Sequence, residues 1–224
     1  MKRRHFFVIA VIGVCLFSIF IVGVGASDHF NIYKVMGEYY NEARAQDDAS
    51  ITVYNESLPV AEFHGEKIYQ ADIEYYNNVN NLSPTGVANT QTTQETLTEV
   101  LQNMILYDEA ERLGYSATQS EIESMVENTK LAYSMPEGKE IIDQFCQGAN
   151  ITVEQYFECV EDQAPRVIAR QKLLNAVGME FCEENGLTFT KVNPPEEMLE
   201  AREAYIAELF AQAEDEIIYY TDTN

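Results

Sequence analysis

Three histidines and four cysteines are the scarcest reactive side chains in this 224-residue chain. A zinc or haem centre needs several such ligands at short spacing. Here they are scattered: His5, His29 and His64, and Cys15, Cys146, Cys159 and Cys182. His64 stands alone in Phe63-His64-Gly65-Glu66. That stretch reads as a tight turn, so His64 suits a turn backbone better than metal or proton-transfer work. Gly65-Glu66-Lys67 lacks the spaced glycines and the Ser or Thr of a phosphate loop. Glu183-Glu184 and Glu196-Glu197 are adjacent acids, and adjacent positions on a helix do not face each other as glycosidase carboxylates must. The sequence therefore implies no catalytic residue, no metal and no cofactor.

Apolar recognition remains. Tyr39-Tyr40, Tyr75-Tyr76 and Tyr156-Phe157 are adjacent pairs. On a helix, one member of such a pair tends to face outward. Exposed aromatics and methionines adapt to irregular apolar partners. Tyr75, Tyr76, Met125, Tyr133, Met135 and Tyr156 are thus the candidate residues for gripping an unfolded segment. The alternative is that they pack between helices.

The elements that would carry them are mostly helical. Ile32, Met36, Tyr39, Tyr40 and Ala43 have helical spacing, and Asp47 to Ser50 is expected to break that helix. Val60 to Tyr69 alternates around Gly65, which predicts strand, turn and strand. Gln70 to Val79 reads as a helix and Asn80 to Thr93 as a loop containing Pro84 and Gly86. Leu97, Val100, Leu101, Met104, Ile105 and Ala110 form a wide stripe that Gly114 ends. Thr118-Gln119-Ser120-Glu121 has the capping-box form. Pro136 and Gly138 are expected to stop the helix it opens. A short helix with Ile141, Ile142 and Phe145 should end before Gly148. Thr152 opens another, which Pro165 should kink or split. A last helix follows Pro194-Pro195, with Leu199, Ile206, Phe210 and Ala213 inward. Ile217 to Tyr220 closes the chain as a strand whose natural partner is Val60 to Phe63.

Charge restricts the partners. The chain has 37 acidic and 14 basic residues, a net −23. Such a surface repels phosphate backbones, which excludes nucleic acid. Fourteen Tyr and 11 Phe are too many aromatics for an acidic disordered chain. Met1 to His5 is basic, and the 21 residues Phe6–Ala26 contain no charge. That run is long enough to cross a ~30 Å hydrocarbon core as a helix. The basic flank would stay cytoplasmic and the rest would lie outside. The competing reading is a signal peptide cleaved after Val24-Gly25-Ala26. Three cysteines then lie in the exported part. Cys146 and Cys159 would sit out of register across a hairpin, which favours free buried thiols.

Five motifs in order carry a family resemblance. They are Val60-Ala61-Glu62-Phe63-His64-Gly65-Glu66-Lys67-Ile68, Glu109-Ala110-Glu111-Arg112-Leu113-Gly114-Tyr115, Thr118-Gln119-Ser120-Glu121-Ile122, Thr152-Val153-Glu154-Gln155-Tyr156-Phe157, and the closing Tyr205-Ile206-Ala207-Glu208-Leu209 to Ile217. Together they resemble the N-terminal module of the SurA and PrsA class of exported bacterial chaperones, over residues 58–186 and more loosely 195–220. His64 replaces that family's usual Asn. Many members insert a parvulin prolyl-isomerase domain between the two halves; here only the short stretch Gly186 to Pro195 separates them.

The expected organisation is a basic flank and anchor over 1–27, a juxtamembrane helix and linker over 28–57, and a helical domain over 58–224. The expected fold is mainly α, with two or three short strands and the C-terminal strand pairing near the domain's start. The resemblance implies a single-pass, extracytoplasmic holdase without isomerase activity, binding unfolded or nascent exported polypeptides. The alternative is an accessory subunit that docks on one dedicated membrane partner.

Overall fold

Thr118 and Thr152 open helices by one device, and Thr92 repeats it. Each threonine hydroxyl accepts a hydrogen bond from the backbone N–H three residues on. The side chain at that later position, Glu95, Glu121 or Gln155, accepts the threonine's own N–H. Two otherwise unpaired donors are satisfied at each start. The computed structural model describes residues 32–52, 59–82 and 91–220. Within them, seven α-helices and one small sheet follow in order: α1 (Ile32–Thr52), β1 (Pro59–Phe63), β2 (Glu66–Tyr69), α2 (Gln70–Asn80), α3 (Thr93–Arg112), α4 (Gln119–Tyr133), α5 (Pro136–Ala149), α6 (Val153–Glu184), α7 (Glu196–Ala213) and β3 (Ile217–Tyr219). The run Phe6–Ala26 lies outside the described residues. Among those described, no helix is long and apolar enough to cross a membrane.

The sheet has the order β2-β1-β3, all antiparallel. Val60 to Tyr69 forms the expected hairpin. His64 (φ 48°) and Gly65 (φ 82°) make its two-residue turn, and both occupy the left-handed region. A turn of that hand matches the twist of the strands. Pro59, Ala61 and Phe63 are buried on one face of β1. The closing strand pairs where its apolar pattern pointed, with Phe63 opposite Ile217 and Ala61 opposite Tyr219.

Several helix boundaries differ from expectation. α1 continues through Asp47–Ser50 to Thr52, because Ala45, Gln46 and Ala49 on either side of the two acids are good helix formers. α1 also packs into the core through Met36, Tyr40 and Ala43 rather than standing ahead of it. α4 ends at Tyr133, and Pro136 opens α5 instead of stopping α4. The ring suits a first helical position, where its missing N–H costs nothing. Gly148 lies inside α5, which runs to a left-handed Asn150 (φ 52°). α6 passes unbroken through Pro165. The carbonyl that loses its donor is that of exposed Glu161, which water can reach.

Gly148 is needed where it is. A methyl group there would sit 2.0 Å from the Lys34 carbonyl oxygen, and one on Gly37 would sit 2.2 Å from that of Phe145. Helices α1 and α5 therefore touch backbone to backbone. The described ends of the Asn80–Thr93 loop are clasped: Asn81 accepts the Gln91 N–H at 3.0 Å and donates to its carbonyl at 3.3 Å. Residues 83–90 between them lie outside the described residues.

Two apolar clusters fill the fold. The larger joins α1 to α5, the sheet and the first half of α6. Its rings form a chain of edge-on and tilted contacts, Tyr75–Tyr40–Phe145–Tyr156–Phe157–Tyr133, with centroids 5.8–6.3 Å apart. The smaller buries Leu106, Ala110, Ala169 and Leu173, where α7 lies against the ends of α3 and the middle of α6.

Candidate functional site

His64 is tied down on three sides. Its ring stacks on Phe63 at 4.1 Å between centroids. Nε2 lies 2.6 Å from Glu216 in the short 3₁₀ turn Glu214–Glu216, and Nδ1 lies 3.5 Å from Asp108 on α3. The bond to Glu216, with help from Asp108, raises the imidazole pKa above its ordinary value. Nearby, the Tyr220 hydroxyl donates to Glu62 at 2.6 Å. The 2.6 Å approach to Glu216 is a hydrogen bond that leaves no room for an intervening ion. No cluster of three or more metal-ligating side chains occurs among the described residues. The arrangement is a clamp that pins the closing strand to the hairpin turn and α3.

A polar seam holds the hairpin from its other side. Arg166 on α6 donates to Glu66 at 2.8 Å and lies over the Tyr107 ring at 5.1 Å. Arg170, one turn on, donates to Asn103 of α3 and to the Arg166 carbonyl. Lys172 reaches Glu121 at 3.1 Å and the Ser116 carbonyl at 2.9 Å. The Thr118 backbone N–H, the Thr118 hydroxyl and Lys172 together lower the Glu121 pKa to about 2.

The thiols Cys146, Cys159 and Cys182 are free. Burial pushes Cys146 up to about 12 and Cys159 upward. Thiols held protonated in this way are poor nucleophiles. Glu183, Glu184, Glu196 and Glu197 are all exposed.

The residues expected to grip an unfolded segment are not brought together on the surface. Tyr75, Tyr76 and Tyr156 are buried in the large cluster, Tyr156 to 1% exposure. Burial raises the Tyr76 and Tyr156 hydroxyl pKa values. A client could touch these three rings only if the core opened. Met125 is half-buried against the same core. Tyr133 is half-buried as well; its ring packs on Phe157 and its hydroxyl donates to Asp143 at 3.0 Å. Only Met135, at 48% exposure, is freely accessible.

Other apolar side chains are exposed. At the far end of α6 and the start of α7, Met179 is 52% exposed, Leu187 is exposed, Val192 is 74% exposed and Leu199 is 42% exposed. Glu180, Glu183, Glu184, Glu196, Glu197 and Glu200 are interspersed with them and also exposed. Arg202 fastens this arm by lying against Gly178, over the Phe189 ring and within 3.1 Å of Asn175. A second exposed run is Ile218, Tyr219 and Tyr220. Leu199 is exposed, against the expected inward position; Met198 fills that place, fully buried. The sequence held one usable sign of the arm, the apolar residues on either side of Pro194-Pro195, where no helix face could bury them all.

No protein-family model, curated protein or solved structure matches this chain.

Proposed function

We propose that this chain is a membrane-anchored extracytoplasmic holdase that binds unfolded or partly folded exported polypeptides without isomerase activity. The observation that carries the reading is the arm: Met179, Leu187, Val192 and Leu199 exposed among six glutamates. An apolar surface with an anionic rim attracts segments that mix apolar and basic residues. Met179 supplies a flexible thioether that can repack against different partners. Two further features support the resemblance to the SurA and PrsA module. The order of elements agrees with it, and the closing strand returns to the first one. The joint between the two halves is short, running from Asn185 to Pro195 without a domain inserted. The apolar run Phe6–Ala26 supplies the anchor in this reading.

The test uses the full chain in lipid nanodiscs. Light scattering is followed as a chemically unfolded protein is diluted into increasing amounts of it, with empty nanodiscs as the control. Suppression near one chain per client, surviving moderate salt, is the expected result. Suppression that salt abolishes would assign the effect to charge alone. No suppression would overturn the reading in favour of an accessory subunit with a dedicated membrane partner.

A further inference from the structure

β3 is an outer strand, and among the described residues it pairs only with β1. The ladder shows which of its peptide groups are used. Tyr220 donates to the Val60 carbonyl at 3.0 Å, and Ile218 lies opposite Glu62. In an antiparallel pair, alternate residues turn both backbone groups toward the partner. The backbone groups of Ile217 and Tyr219 therefore point away from β1; the Ile217 N–H closes the preceding turn on the Glu214 carbonyl, which leaves the Ile217 carbonyl and the N–H and C=O of Tyr219 along the outer edge.

Among the described residues, this edge is guarded only by its three-residue length and by acids. Outer strands are commonly guarded by lysine, proline or a bulge. β3 and the residue after it read Ile-Ile-Tyr-Tyr, and three of those four side chains are exposed. Acids predominate beside it: Glu214, Asp215 and Glu216 lead into the strand, with His64 on Glu216, and Glu62 lies across from it on β1. The His64 clamp and the Tyr220–Glu62 bond hold the strand in place, so the edge is presented already formed.

We propose that the outer edge of β3 captures an extended polypeptide segment in which basic and apolar residues alternate, adding it as a fourth strand. Main-chain hydrogen bonds to the Ile217 carbonyl and to both backbone groups of Tyr219 would hold any sequence, as strand addition does generally. Ile218, Tyr219 and Tyr220 would favour apolar side chains, and the neighbouring carboxylates would favour Lys and Arg. A second copy of this chain fits less well, because it brings the same acids to the same edge. The inference rests on the holdase reading and names how a client is held.

The test uses the full chain in nanodiscs, with two short labelled peptides as probes, one alternating Lys and Val and the other alternating Glu and Val. Fluorescence anisotropy reports binding, and amide hydrogen exchange reports where the peptide sits. The Lys–Val peptide is expected to bind, the Glu–Val peptide not. On binding, exchange at the Tyr219 amide should slow about tenfold or more, while the Ile218 amide, already bonded to β1, changes little. Tyr219→Pro removes the outward donor together with the ring, and Tyr219→Ala removes the ring alone; the proline variant should abolish Lys–Val binding while Ile218 stays protected, and the alanine variant should only weaken it. Peptide binding that leaves the Tyr219 amide unchanged would overturn this site and leave the holdase reading standing. Protection of that amide by raising the protein concentration alone would overturn it in favour of self-pairing. If neither peptide binds, the inference fails; whether the holdase reading fails with it is decided separately by the light-scattering result.

Discussion

The body of the domain and its arm treat apolar side chains in opposite ways. In the body, the ring chain from Tyr75 to Tyr133 is threaded through α1, α2, α5, α6 and α4, and even adjacent tyrosines are turned inward. Beside the arm, a small cluster buries Leu106, Ala110, Ala169 and Leu173, while in the arm itself Met179, Val192 and Leu199 remain in water. Stability is therefore concentrated where the sequence is richest in aromatics. The proposed client surface lies where few residues are committed to packing.

The contrast predicts unequal costs. Phe145→Ala removes a ring that touches both Tyr40 and Tyr156, and should destabilise the domain by about 3–5 kcal/mol in urea unfolding. Gly148→Ala forces a methyl group into the Lys34 carbonyl, so α1 must lift from α5. A cost of about 2–3 kcal/mol is expected, with new protease cleavage in α1. A wild-type response to either substitution would mean that the body is looser than its packing indicates. In the arm, the double change Met179→Ser with Leu199→Ser should alter stability by less than about 0.5 kcal/mol, because both side chains are already exposed. The same change should weaken aggregation suppression, which separates recognition from folding. Unchanged suppression would move the client surface off the arm.

The smallest effects are those of pH. Glu216, with Asp108 facing from α3, raises the His64 pKa. Protonated His64 is thus favoured in the folded state. Its contribution is fully present below about pH 6.5 and is lost as pH rises through the raised value. Protection factors at the β3 amides, which are corrected for the intrinsic rise of exchange with pH, should fall over that window, and His64→Ala should remove that fall. The opposite sign holds at Glu121. Its lowered pKa stabilises the start of α4 above about pH 4.5, and that contribution fades as pH falls toward 2. Thr118→Ala should flatten this acid response.

Local signals were read well where the responsible groups are close in sequence. Thr118 and Thr152 cap helices because donor and acceptor lie three residues apart. The His64-Gly65 turn follows from backbone preference and the alternation around it. The distant pairing of Ile217 with Phe63 was legible for another reason: β3 had no local partner, and β1 had an edge to offer. Proline and glycine misled where their effect depends on neighbours. Pro136 sits at a first helical position, Pro165 frees a carbonyl that faces water, and Gly148 permits a helix crossing rather than a helix end.

The candidate binding residues divide in the same way. Tyr75, Tyr76 and Tyr156 had the right chemistry for gripping a client, but three-dimensional packing took them for the core. The sequence alone determined the net charge of −23, the helix starts at Thr118 and Thr152, the hairpin and the identity of its distant partner. Each of these follows from composition, from groups a few residues apart, or from a strand that lacks a local mate. Only the tertiary structure decided which aromatic faces are dry, that α1 belongs to the core, and that Met198 rather than Leu199 turns inward. Those choices depend on what fills the space opposite each side chain, and that is set by helices far away along the chain.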